Sequence, residues 1–303
     1  MARQKIIPNL WFDREAEEAA KFYVSIFKNS RIGYVTHYSQ AGYDVHHMPA
    51  GMVMTVEFEL TGYKFVALNG GPVFKINPSI SFIVSCNKKG DVDYLWGKLA
   101  DGGKSMMELG DYPFSERYGW IQDKYGVSWQ LMFTREPGFE RVITPTLMFV
   151  DDRYGKAEPA INFYTSVFHD TKVGDIMRYS AHELPDKADM IKHGAFRLEG
   201  QSFAAMDSAR VHDSSFNEAV SLIIECNSQK EIDYYWERLT GSGGQEGVCG
   251  WLKDKFGVSW QVNPAVLQKM LRDKNQNKVE AVTDAFMKMK KFDIEELEKA
   301  FKE

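Results

Sequence analysis

The sequence predicts an α+β protein made of two tandem domains, each a pair of βαβββ modules, followed by a helical tail. Three observations carry that expectation. The chain repeats itself: Phe22-Tyr23-Val24-Ser25-Ile26-Phe27 returns as Phe163-Tyr164-Thr165-Ser166-Val167-Phe168. Likewise Asp93-Tyr94-Leu95-Trp96 returns as Asp233-Tyr234-Tyr235-Trp236, and GWIQDKYGVSWQL (119–131) returns as GWLKDKFGVSWQV (250–262). The repeat is far longer than the roughly 20–50 residues of a solenoid, so it is a duplicated domain. Within each copy, runs of period two alternate with a single helical stripe, twice over. After Pro264 the strand pattern stops and only helical spacing remains.

Taken in order, Ile6–Phe12 reads as a strand, with Asp13 placed to cap the helix that follows. Ala19, Phe22, Tyr23, Ile26 and Phe27 fall on one face of that helix. Residues 33–39, 53–60 and 64–69 read as strands, the last two joined by the turn residues Thr61-Gly62. Residues 79–86 begin the second module. Val92, Leu95, Trp96 and Leu99 form its helical stripe, which stops near Gly102-Gly103. Strands follow around 104–108, 117–122 and 127–133, and the second copy repeats the series. A linker is expected at 134–141, where Pro137-Gly138 interrupts the pattern. The domains are therefore drawn at 1–136 and 142–264, with a tail at 265–303. In the tail, Val279, Val282, Phe286 and Met289, then Ile294, Leu297 and Phe301, fit two amphipathic helices divided near Phe292-Asp293.

Composition narrows the function classes. The 303 residues are 44% hydrophobic and 26% charged, as in a globular protein. A net charge of −5 gives no electrostatic reason to expect nucleic acid or an anionic membrane as partner. No apolar run approaches the roughly 20 residues of a membrane span. The N-terminus meets acids before any long apolar stretch, so no signal peptide is expected. Three cysteines without Cys-x-x-Cys spacing suggest the cytoplasm.

Paired βαβββ modules resemble the vicinal oxygen chelate superfamily, the glyoxalase and extradiol-dioxygenase fold. The residues are more specifically similar to its PhnB-like branch, often labelled 3-demethylubiquinone-9 3-methyltransferase. The stretches that carry the resemblance are Leu198-Glu199-Gly200-Gln201, Phe216-Asn217-Glu218-Ala219-Val220-Ser221, Asp233 with Trp236, and the run from Cys249 to Gln261. The tail AFMKMKKFDIEELEKAF is similar to the branch's usual C-terminus. Single-copy relatives often dimerise, which implies a pseudo-dimer within this chain and leaves a further homodimer open.

The resemblance also implies a cup in each curved sheet, where metal-dependent relatives present His or Glu ligands. Strand alternation selects the residues expected to face it. Trp11, Phe65, Asn69, Ser81 and Gln130 are assigned to one cup. Met148, Phe203, Asp207, Ser221 and Gln261 are assigned to the other. The family's glutamate aligns with Gln130 and Gln261. The only carboxylate in this set is Asp207 and there is no histidine, so no metal and no other cofactor is expected. Trp129 and Trp260 should lie on the opposite, helix-facing side. His37, His46, His47, His182 and His193 have no partner histidine in the other copy and read as surface or hydrogen-bonded groups. Cys86 and Cys226 read as inert packing. Cys249 lacks an identifiable base.

The favoured reading is a metal-independent binder of a small neutral or aromatic molecule, since apolar walls with few polar groups suit such a ligand. One alternative is an enzyme with Glu57 or Asp207 as acid or base, or with an atypical metal site. The other is a structural protein with filled cups. The methyltransferase label finds no support in the residues. Gly241-Ser242-Gly243-Gly244 follows a helix and precedes a strand, as helix C-capping requires, not the reverse order of a nucleotide-binding turn.

Overall fold

A computed structural model describes residues 4–135, 142–241 and 243–302. Most of the expected linker, 136–141, lies outside the described residues. The first half runs β1 (Ile6–Phe12), α1 (Ala16–Ile26), β2 (Arg31–His37), a single turn α2 (Tyr43–His46), β3 (Val53–Leu60), β4 (Tyr63–Asn69), β5 (Ile80–Cys86), α3 (Lys89–Leu99), β6 (Lys104–Tyr112), β7 (Ser115–Gln122) and β8 (Ser128–Phe133). The second half runs β9 (Val142–Phe149), α4 (Ala157–Val167), β10 (Lys172–Arg178), β11 (Ile191–Leu198), β12 (Gln201–Asp207), β13 (Val220–Cys226), α5 (Gln229–Thr240), β14 (Gln245–Glu246), β15 (Trp251–Lys253) and β16 (Ser259–Pro264). The tail holds α6 (Ala265–Met270), α7 (Gln276–Phe286) and α8 (Ile294–Lys302), one helix more than the periodicity suggests. Among the described residues no helix is long and apolar enough to cross a membrane.

The strands form two eight-stranded sheets, and neither sheet belongs to one half alone. The first has the order β14-β15-β16-β13-β1-β4-β3-β2, and the second β10-β11-β12-β9-β5-β8-β7-β6. Each half gives its first module to one sheet and its second to the other. The joints are antiparallel pairs between first strands of modules: β1 with β13, placing Asn9 opposite Ser221, and β9 with β5, placing Thr146 opposite Ser81. A module's first strand left alone would be an open edge, and this pairing closes it.

Each half is held together on its helix side, across the two sheets. Tyr23 in α1 donates its hydroxyl to Asp123 Oδ2 at 2.7 Å, and Trp129 Nε1 donates to the same atom at 2.8 Å. In the second half Tyr164 and Trp260 make the same bonds to Asp254 Oδ2, at 2.7 and 2.8 Å. The other oxygen of each aspartate accepts two backbone N–H groups, from Tyr125 and Val127 or from Phe256 and Val258. Burial raises both carboxyls, and these four hydrogen bonds each pull them back down. Around this bond the core is aromatic: Phe65 of the first sheet packs edge-on to Phe82 of the second, and Trp129 lies fully buried between helix and sheet. The expectation for Trp129 and Trp260 therefore agrees with the structure. Gly119 shows how tight the fit is, since a Cβ there would sit 2.5 Å from the Trp96 ring.

Candidate functional site

Each sheet has one face in the aromatic core and one face turned into a cup. Alternation settles which residues share a face. Val56, Phe58 and Leu60 of β3 are buried in the core, so Glu57 faces the cup. Antiparallel neighbours directly opposite each other share a face. Phe58 lies opposite Phe65 and Glu57 opposite Val66. Phe65 is therefore a core residue, stacked on Phe58 at 5.3 Å, and Val66 is the cup residue. The same register places Phe203 against Phe196 in the core.

That register corrects four of the expected cup residues. Phe65 and Phe203 are core. Asn69 and Asp207 share their face and serve the helices. Asn69 Oδ1 accepts the Ala16 N–H at 2.8 Å, capping α1 in place of the expected Asp13. Asp207 Oδ1 accepts from Gly155 and Ala157 at 2.8 and 3.1 Å, and its Oδ2 accepts from Ile191. Burial raises the Asp207 carboxyl, but its oxygens are spent on backbone donors, as in a helix cap. It lies on the core face of β12 with Phe203 and is not a cup acid.

Trp11, Ser221 and Gln261 face the first cup; Ser81, Gln130 and Met148 face the second. The expected grouping of Trp11 with Ser81 and Gln130, and of Met148 with Ser221 and Gln261, is overturned. The exchange of modules between sheets divides them the other way.

The tail covers the first cup. Its floor is Ile7, Val66 and Ile223, and one end is closed by Trp11, which lies edge-on to Phe74 at 5.1 Å and to Trp251 at 6.1 Å. Gln261 Nε2 donates to Ser221 Oγ at 2.9 Å, and Asn9 Nδ2 donates to the same oxygen at 3.3 Å. From the tail, Arg272 forms a half-buried ion pair with Glu57. Burial raises the Glu57 carboxyl, while Arg272 and Lys64 draw it down. Leu267, Met270, Val279, Val282, Phe292 and Leu297 are buried, so the tail is a packed element.

Among the described residues no tail helix lies over the second cup, which carries its own apolar cluster, separate from the main core. Tyr118, Trp120, Met148 and Val150 are buried in it. Met106, Met107, Tyr112, Met132 and Met206 pack on them and stay partly exposed. Phe114, 48% exposed at the tip between β6 and β7, stacks on Tyr112 and meets Tyr118 edge-on. Beneath lies a polar floor. The Tyr118 hydroxyl donates to Gln130 Oε1 at 2.7 Å, Gln130 Nε2 donates to Ser81 Oγ at 2.8 Å, and Trp120 Nε1 donates to Ser128 Oγ at 2.7 Å.

His193 also faces this cup. Gly194 beside it points at the helix, since its Cβ would lie 2.7 Å from Ile161 Cδ1, so His193 points the other way. Burial lowers its imidazole. The expectation of a surface or hydrogen-bonded imidazole leaves out this place on the cup wall. The signal was available in the alternation of residues 191–198. The cluster on β6 and β7 carries no clean alternation in the sequence, because three register shifts interrupt the pairing of the two strands.

The residues do not fit the divalent metal that the resemblance implies. Gln130 and Gln261, where that resemblance expects a glutamate, are neutral amides already hydrogen-bonded. Among the described residues no three His, Cys, Asp or Glu side chains gather as a metal would need. Cys86 and Cys226 are fully buried, and burial pushes the Cys226 thiol up to about 12 and that of Cys249 to about 11, so none is an activated nucleophile.

The chain matches the family described as 3-demethylubiquinone-9 3-methyltransferase over residues 4–132 and again over 141–263. Among curated proteins nothing matches it. A solved structure titled as a PhnB protein of that description, from Bacillus cereus, is 38% identical and covers 43% of this chain and 100% of its own, with a TM-score of 0.40. Glyoxalase I from Zea mays is 12% identical, covers 87% of this chain and 93% of its own, and has a TM-score of 0.55. That likeness is one of fold.

Proposed function

We propose that this chain, which belongs to the 3-demethylubiquinone-9 3-methyltransferase family along both halves, binds one small neutral apolar or aromatic molecule in its second cup, without a metal. The observation that carries the reading is a cluster of methionines and aromatic rings on the cup face, partly exposed and separate from the main core. Methionine is flexible and polarizable, and it adapts to apolar ligands of varied shape. The floor of Tyr118, Gln130 and Ser81 is satisfied internally, so it offers little to a charged ligand. The same floor favours one rival reading, a cup that is only structural.

Acid–base catalysis draws no support from the two expected carboxylates, one paired with Arg272 and the other capping a helix. Methyl transfer draws none from the glycines. Gly241, Gly243 and Gly244 follow α5, and a Cβ on Gly244 would lie 2.4 Å from Leu239 O, so they serve the helix end. In this reading the two halves act as a covalent pseudo-dimer whose cups have diverged, one closed by the tail and one left for a ligand.

Titration with a neutral naphthylamine fluorophore tests the proposal. Saturable enhancement at one site per chain, lost in Met132→Lys, supports a binding cup. No enhancement, or enhancement unchanged by Met132→Lys, favours the structural reading.

A further inference from the structure

We propose that the first cup is a recognition site for a guanidinium or amidinium group, and that the chain's own Arg272 occupies it in this structure. The site is separate from the second cup and does not rest on it. Two carboxylates, Glu57 and Glu225, face the first cup and feel each other electrostatically. Their counterparts in the second cup are Ala195 and Ser85, so these two carboxylates have no equivalents there. The Arg272 guanidinium pairs with Glu57 and lies 3.8 Å from the centre of the Tyr34 ring. A carboxylate at its edge and an aromatic face against its plane are the two features that select a flat, forked cation over an ammonium.

The occupant fits imperfectly. Arg272 Nε is buried and makes no hydrogen bond, and neither does Asn263 Oδ1 on the cup face of β16. An unpaired buried donor is costly, so releasing Arg272 to solvent recovers part of the cost of displacing it. The chain leaves β16 at Pro264 and by Arg272 has reached β2 and β3 on the far rim. Residues 274–277 beyond it are exposed. The rest of the tail is anchored elsewhere: Cys249 N–H donates to Met289 O at 2.8 Å and Gly250 N–H to Lys290 O at 2.7 Å. Arg272 can therefore leave the cup while α7 and α8 stay docked.

Benzamidine, with benzamide as its neutral isostere, is the probe, titrated calorimetrically into the full chain. Arg272→Ala vacates the site, and Arg272→Met does so while keeping the apolar stem. Either variant, folded by circular dichroism, should bind one benzamidine at least about tenfold more tightly than the wild type. Adding Glu57→Gln should weaken that binding by about tenfold or more, and benzamide should not bind. In the wild-type chain, millimolar benzamidine should shift the Arg272 side-chain resonance and benzamide should leave it in place. The proposal is overturned if a folded variant shows no saturable binding, or binds benzamide equally. It is also overturned if Glu57→Gln changes nothing, or if the wild-type resonance never responds.

Discussion

Tyr118 and Gln130, on neighbouring strands of the second cup, are joined by a 2.7 Å bond from the phenol to Oε1, and burial pushes the Tyr118 hydroxyl well above its ordinary range. The phenol is thus a permanent donor, and the amide it meets is committed at both ends. Dialysed wild-type protein is expected to carry far less than one equivalent of zinc, nickel, iron or manganese. Gln130→Glu should not create a site, since it supplies one carboxylate without partners, and should destabilise by about 1–3 kcal/mol. Stoichiometric metal in either protein, by elemental analysis, would contradict this.

The paired bonds of Asp123 and Asp254 give a second expectation. Asp123→Ala leaves the Tyr23 hydroxyl, the Trp129 indole and two backbone N–H groups without an acceptor. Each such group costs about 1–3 kcal/mol, so the loss should reach about 3 kcal/mol or more. Asp254→Ala should cost a similar amount, because its partners are equivalent. Denaturant midpoints that differ widely between the two variants would show that the halves are not held alike.

His193 makes stability depend on pH with a definite sign. Burial holds its imidazole below the ordinary value of 6.5, so the unfolded chain takes up the proton first as pH falls. The contribution of neutral His193 is complete above that value and is lost progressively as pH falls through the lowered folded value. Thermal melts of the wild type should therefore fall faster with acidification than those of His193→Gln. Parallel profiles would remove His193 from the cup wall.

The tail is expected to be structural as well as a cover. Leu297 is fully buried in α8, and Leu297→Ala should cost about 2–5 kcal/mol. A melting temperature within a degree of wild type would mean that α8 is not docked in solution.

Much of the architecture was legible in the sequence, because strand alternation, helical stripes and the repeated VSWQ register are local patterns. The pairing of β1 with β13 was not, since nothing local says which first strand an open edge will meet. The site was half legible. Gln130 and Ser81 fell correctly on the cup face, whereas Phe65 and Asn69 did not. Their face depends on the hairpin register that sets Phe58 opposite Phe65, and one residue of slip moves a whole strand to the other side. The Glu57–Arg272 pair joins residues far apart in the chain and had no signature at all.

The central claim is that the second cup, and not the tail-covered one, receives an apolar ligand. Methyl-labelled methionine spectra test it most directly, since methionines line the second cup and others lie in the tail. On titration with naphthalene, ring-current shifts should appear at Met132, Met148 and Met206, and Met48, Met270, Met287 and Met289 should stay in place. Shifts confined to the tail methionines, or none at any concentration the ligand's solubility allows, would contradict it.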